Sequence, residues 1–140
     1  ETMLFYFDNV TYGTADLILT WADRKVIIPI EVDYVSESLK NIEKAIAEDG
    51  ENFRVYNNAA SFYIDNNLEP AAAVKYARQS VELEEKFWNV KTLSEALANN
   101  EEYKEAIKVA EKSLKMSEEA EYEPYIKVNR ANIEKWKAMQ

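Results

Sequence analysis

Two hydrophobic periodicities divide the chain. Over residues 1–34 apolar positions recur every second residue, as on strands with one face turned from water. Ala15, Leu17, Leu19 and Trp21 share one face of a strand, and Val26, Ile28, Ile30 and Val32 share one face of the next. An earlier run, Met3-Leu4-Phe5-Tyr6-Phe7, is apolar on both faces, and Ile18 and Ile27 put apolar groups on the second faces of the other two strands. Turns are expected at Thr11-Tyr12-Gly13-Thr14 and at Ala22-Asp23-Arg24. Pro29 has no N–H for a ladder hydrogen bond, which predicts an edge position or a bulge for the third strand. One face of the meander can pack on helices. The other needs a cover, supplied by further strands of a parent protein or by a second copy through the exposed sheet.

From Ser36 the spacing becomes helical. A first helix is predicted over about Ser36–Asp49, with Leu39, Ile42, Ala45 and Ile46 on one stripe and Gly50 as its stop. Others follow near Asn52–Asp65, Pro70–Leu83, Phe87–Ala98 and Glu102–Met116, and a last one starts at Pro124 with Tyr125, Val128, Ile133 and Trp136. Pro70 suits a first helical turn, where its missing N–H costs nothing. Asn66-Asn67 and Asn99-Asn100 read as tight turns, because asparagine tolerates the left-handed conformation. The boundary between the two regions is placed at 34/35.

Within the helical region one pattern occurs twice, 33 positions apart. Ser61 matches Ser94, Ala73 matches Ala106, Ala77 matches Ala110 and Ser80 matches Ser113, with Ile64 against Leu97 and Val74 against Ile107. Small residues spaced by four let a second helix approach its neighbours closely, where leucine would clash. This stretch resembles two tetratricopeptide repeats, at about 52–84 and 86–117, followed by a capping helix at about 124–139. It departs from that family in its period, in Ser61 and Ser94 standing for glycine, and in lacking the closing proline. The expected fold is therefore α+β: a short antiparallel β-meander of about three strands, then an α-α superhelix of about six helices. Such arrays bind other chains far more often than they carry out chemistry.

Composition narrows the chemistry. The 140 residues include no cysteine and no histidine. Disulfides, thiol nucleophiles, serine–histidine catalysis and the usual zinc or facial-triad iron sites are excluded within this chain. The net charge is −9, with six acidic and two basic residues in 1–34 and 20 and 15 in 35–140. With no basic stripe, nucleic acid and anionic membrane surfaces are poor partners, and a basic or neutral polypeptide is easier electrostatically. No apolar stretch approaches the length of a bilayer span. A glutamate at position 1, followed at once by a strand-like run, reads as a fragment of a longer protein.

The acidic run Glu118-Glu119-Ala120-Glu121-Tyr122-Glu123 lacks the spacing and glycine of a calcium loop, and is expected to be a solvated linker that places charge at the next helix N-terminus. No catalytic residue, metal ligand or cofactor is assigned. The candidate partner-binding residues face inward from the first helix of each repeat: Asn58, Phe62 and Asp65, then Trp88, Lys91 and Glu95. This mixture of aromatic, amide and charged groups suits an extended peptide or a partner helix.

A second resemblance covers nearly the whole chain. Phe5-Tyr6-Phe7-Asp8-Asn9-Val10-Thr11, Leu17-Ile18-Leu19-Thr20-Trp21, Val26-Ile27-Ile28-Pro29-Ile30-Glu31-Val32 and a late Glu134-Lys135-Trp136 make a succession similar to the carboxy-terminal half of the bacterial family called domain of unknown function 2911. The resemblance implies an upstream β domain that completes the sheet, a secreted, periplasmic or envelope location, and no established activity. It leaves two functions to weigh. One is a non-catalytic protein-interaction or scaffold module. The rival is a small-ligand-binding or hydrolytic protein with carboxylates and aromatics at the junction of sheet and helices, between Trp21 and the first helix, completed by the upstream strands.

Overall fold

A three-stranded antiparallel meander opens the chain in the computed structural model, which describes residues 2–139. Strands β1 (Leu4–Asp8), β2 (Thr14–Trp21) and β3 (Arg24–Glu31) lie in the order β1-β2-β3. Six helices follow: α1 (Tyr34–Glu48), α2 (Phe53–Asp65), α3 (Pro70–Leu83), α4 (Phe87–Asn99), α5 (Tyr103–Glu119) and α6 (Glu123–Lys137). This is the α+β arrangement expected from the two periodicities. The chain forms two compact units, Glu1–Asn41 and Ile42–Gln140, so the division falls inside α1.

In the strand unit the register follows from a two-residue turn. Trp21 pairs with Arg24, Leu17 with Ile28 and Ile18 with Ile27, while Phe7 lies opposite Leu17 and Phe5 opposite Leu19. Ala22 carries the turn with φ 52°, as the first central position of such a hairpin requires. Counting from that turn, hydrogen-bonded and non-hydrogen-bonded pairs alternate, and Pro29 opposite Asp16 falls on a non-hydrogen-bonded pair. Its missing N–H therefore faces the free edge of β3, as edge placement demands. At the start of α1, Asp33 accepts the Ser36 N–H at 3.0 Å. Hydrogen bonds from Ser36, the side chain first, hold the Asp33 carboxyl below its ordinary value.

The helical unit is built on small residues. Ala60, Ala77, Ala96, Ala106 and Ala110 are fully buried, and Leu93, Leu97, Ile133 and Trp136 pack into the same cluster. Close approach of backbones creates a need for polar partners, and two serines meet it. Ser80 Oγ donates to the Phe53 carbonyl at 2.8 Å and accepts from Asn89 Nδ2 at 3.0 Å. Ser113 Oγ donates to the Phe87 carbonyl at 2.8 Å and accepts from Asn129 Nδ2 at 2.9 Å. Each hydroxyl thus ties the start of a first helix to the end of a second helix and to the helix that follows.

Three inter-helix turns share one geometry. The N–H groups of Leu68, Glu102 and Tyr122 each donate, at 2.9 Å, to the carbonyl five residues earlier, at Tyr63, Leu97 and Ser117. This is the Schellman pattern, which needs a left-handed residue just before the donor. Asn67, Glu101 and Glu121 supply it with φ 50°, 62° and 52°. Asn67 was expected there. Asn99-Asn100 was not the right pair: Asn99 ends α4, Asn100 is its cap, and Glu101 takes the left-handed position. The acidic run also differs from expectation, since α5 continues through Glu118 and Glu119 and only residues 120–122 connect it to α6.

Candidate functional site

The spacing of the repeat is not uniform. First helices match at 34 positions, Phe53 with Phe87 and the caps Asn66 with Asn100. Second helices match at 33, Ala73 with Ala106 and Ser80 with Ser113. The difference is the connecting loop, residues 66–69 in one repeat and 100–102 in the other. The buried small residue facing Ser94 in the structural alignment is therefore Ala60, and Ser61 instead corresponds to Glu95.

That shift separates the candidate residues. Trp88, Lys91 and Glu95 correspond to Arg54, Asn57 and Ser61, whereas Asn58, Phe62 and Asp65 correspond to Thr92, Ala96 and Asn99. The two triplets lie on different strips of their helices. Asn58 and Asp65 are exposed and Phe62 is half-buried. No side-chain hydrogen bond, ion pair or ring contact among the described residues joins them to the α4 group.

Lys91 and Glu95 of the α4 triplet instead meet α6. Lys91 Nζ lies 2.8 Å from Glu95 Oε2, a pair one turn apart whose side chains are 23% and 26% exposed, so it is screened less than a surface pair. The same ammonium sits 5.7 Å from the centroid of Tyr125, within reach of the ring's negative face. Asn132 Nδ2 donates to Glu95 Oε1 at 3.3 Å. Beside this polar group four aromatic rings cluster. Phe87 stands edge-on to Trp88 at 5.0 Å and to Tyr125 at 5.4 Å, and lies 5.5 Å from Tyr122. Tyr122 and Tyr125 are 5.3 Å apart, and Tyr122 is exposed. Such offset and edge contacts hold aromatic rings in place.

Tyr122, Tyr125 and Asn132 were not among the expected residues, nor was Phe87. Tyr125 is visible in the sequence only as part of the amphipathic stripe of α6. Nothing in that stripe says which earlier helix it meets.

Two hollows in the helical unit are lined by other residues than the six expected ones. One of 470 Å³ is lined by residues 101–105 and Met139. Another, of 350 Å³, is lined by Glu43, Ile46, Tyr56, Lys75, Tyr76 and Gln79. Near it Tyr63 stands 5.4 Å from Tyr76, and burial, then that neighbour, push the Tyr63 hydroxyl above its ordinary value. Among the described residues no group of three or more carboxylates is placed to hold a metal ion. No helix among them is long and apolar enough to cross a membrane. In comparisons with known proteins, no family model and no curated protein matches the chain.

Proposed function

We propose that the chain is a non-catalytic helical-repeat module that binds a polypeptide across the first turns of α4 and α6. The observation that carries this reading is the aromatic group of Phe87, Trp88, Tyr122 and Tyr125 set beside the Lys91–Glu95 pair. Aromatic anchors fixed by one another lose little freedom on binding, and the adjacent cation, carboxylate and amide orient a partner backbone. The net charge of −9 favours a neutral or basic segment over an acidic one. Asn58, Phe62 and Asp65 fall outside this face and are expected to contribute little. The likeness to the domain of unknown function 2911 belongs to the same proposal and rests on the strand succession and helical tail alone.

The test is selection of displayed random peptides on the immobilised chain, followed by calorimetry with purified peptides. Trp88→Ala is expected to weaken selected peptides tenfold or more, a loss of about 1.4 kcal/mol. Lys91→Glu is expected to reduce the affinity of neutral peptides, while Asp65→Asn leaves it unchanged. Far-UV circular dichroism should show both α4 variants folded. Failure to select any peptide, or peptides indifferent to both α4 changes, overturns the reading.

A further inference from the structure

The strand unit leaves one face of its sheet bare. Phe5 and Phe7 of β1, Trp21 of β2 and Val26, Ile28 and Ile30 of β3 share that face with Leu17 and Leu19. They are exposed by 58%, 61%, 53%, 49%, 47% and 38%, respectively, while Leu17 and Leu19 between them are half-buried. Arg24, opposite Trp21, is the one charged side chain among the described strand residues on this face, and its guanidinium turns to Asp23 at 3.8 Å.

With a fully exposed aromatic side chain offering roughly 150–250 Å² and aliphatic ones somewhat less, these fractions leave on the order of 700 Å² of continuous apolar surface in water. The largest patch on a monomeric protein is about 300–600 Å². A standard stable interface takes about 800 Å² from each partner. The face is thus at the upper end of what a monomer surface carries and approaches one half of an interface.

We infer that this face is the interface of a homodimer, in which two copies pack sheet against sheet about a two-fold axis. A second copy fits because the patch is nearly uncharged and so complements itself. Two such faces bury on the order of 1,400 Å², within the range of specific complexes. Face-to-face stacking is favoured over edge pairing, because Pro29 removes the donor from the free edge of β3 and Lys25 charges the same strand. The two sheets would interdigitate Phe5, Phe7, Leu19 and Trp21 with their counterparts at about 10 Å spacing.

Sedimentation equilibrium on the chain tests this directly. The expected mass is twice 16.2 kDa at micromolar concentration. Trp21→Glu, and independently Phe7→Lys, should shift the mass to one chain and keep the helical thermal transition. A spin label on the Lys25→Cys variant, on the opposite face of the sheet, should show one inter-copy distance, since the chain itself has no cysteine. On this chain the inference is overturned by a monomer at 100-fold higher concentration, by open-ended oligomers in place of a dimer, or by a dimer that survives both face variants. A longer product containing this chain that is monomeric, with Trp21 shielded from acrylamide, assigns the face to its own further strands and also overturns it.

Discussion

Two tryptophans show how differently the two units treat apolar groups. Trp136 of the helical unit is 4% exposed, whereas Trp21 of the strand unit is 53% exposed. The helical unit closes its core from within, with alanines where backbones must approach and serines and asparagines where that approach strands a carbonyl. The strand unit sets its apolar residues in a regular register and leaves Phe5, Phe7, Trp21, Val26, Ile28 and Ile30 of one face exposed. Alternation of apolar residues fixes which side of a strand is meant to be covered. It does not say by what.

The strongest break of this comparison uses those two residues. Trp136→Ala removes a buried indole and is expected to destabilise the helical unit by about 3–5 kcal/mol. Trp21→Ala should leave the same transition almost unmoved and act on self-association instead. Urea unfolding followed by far-UV circular dichroism at low protein concentration separates the two. Equal losses would mean that the exposed face supports the helices, and the contrast between the units would fail.

A smaller effect tests whether the serines act as hydrogen-bonding groups or as small fillers. Ser113→Ala takes the donor from the partly buried Phe87 carbonyl and the acceptor from Asn129, whose Oδ1 has no partner among the described residues. The expected loss is about 1–3 kcal/mol. Ser80→Ala should cost about 1 kcal/mol less, because Asn89 keeps its bonds to the carbonyls of Glu84, at 2.7 Å, and Ser80, at 3.3 Å. Adding Asn129→Leu to Ser113→Ala should recover part of the loss by removing the stranded amide. Identical unfolding midpoints for the two serine variants would reduce both residues to packing volume.

The sequence carries this architecture in its small residues, and that is also where its reading goes astray. Ala73, Ala77, Ala106 and Ala110 are legible because close helix packing tolerates little else at those positions. The asparagine pairs were matched by chemistry, and a loop shorter by one residue moved the geometry past them. That slip put Ser61 where Ala60 belongs and drew Asn58, Phe62 and Asp65 onto a strip that α4 does not use. Trp88, Lys91 and Glu95 share one face of one helix, and a helical period alone is enough to group them. Tyr122, Tyr125 and Asn132 were missed because their meeting with α4 is a tertiary fact, set by how α5 and the Glu121 turn return the chain. Ser80 and Ser113 were read for size alone, since their partners lie far along the chain.

The finest test turns on the left-handed residue of each turn. Asn67 and Glu101 do the same work at φ 50° and 62°, but they do not bear it equally. A left-handed backbone costs most residues about 1–2 kcal/mol, and asparagine less, through local hydrogen bonding of its short amide. Glycine bears none of that strain, but its freer unfolded chain costs about 0.5–1 kcal/mol in return. The Glu101 side chain makes no hydrogen bond or ion pair among the described residues, so its removal loses nothing else. Glu101→Gly should therefore stabilise the helical unit by about 0.5–1 kcal/mol, raising its thermal midpoint by a few degrees, while Asn67→Gly should leave it near zero. Glu121→Gly, at the same place in the α5–α6 turn, should follow Glu101. If Asn67→Gly gains as much as Glu101→Gly in a thermal scan, the gain comes from something other than relief of left-handed strain. The three turns would then differ in a way their shared hydrogen bonds do not reveal.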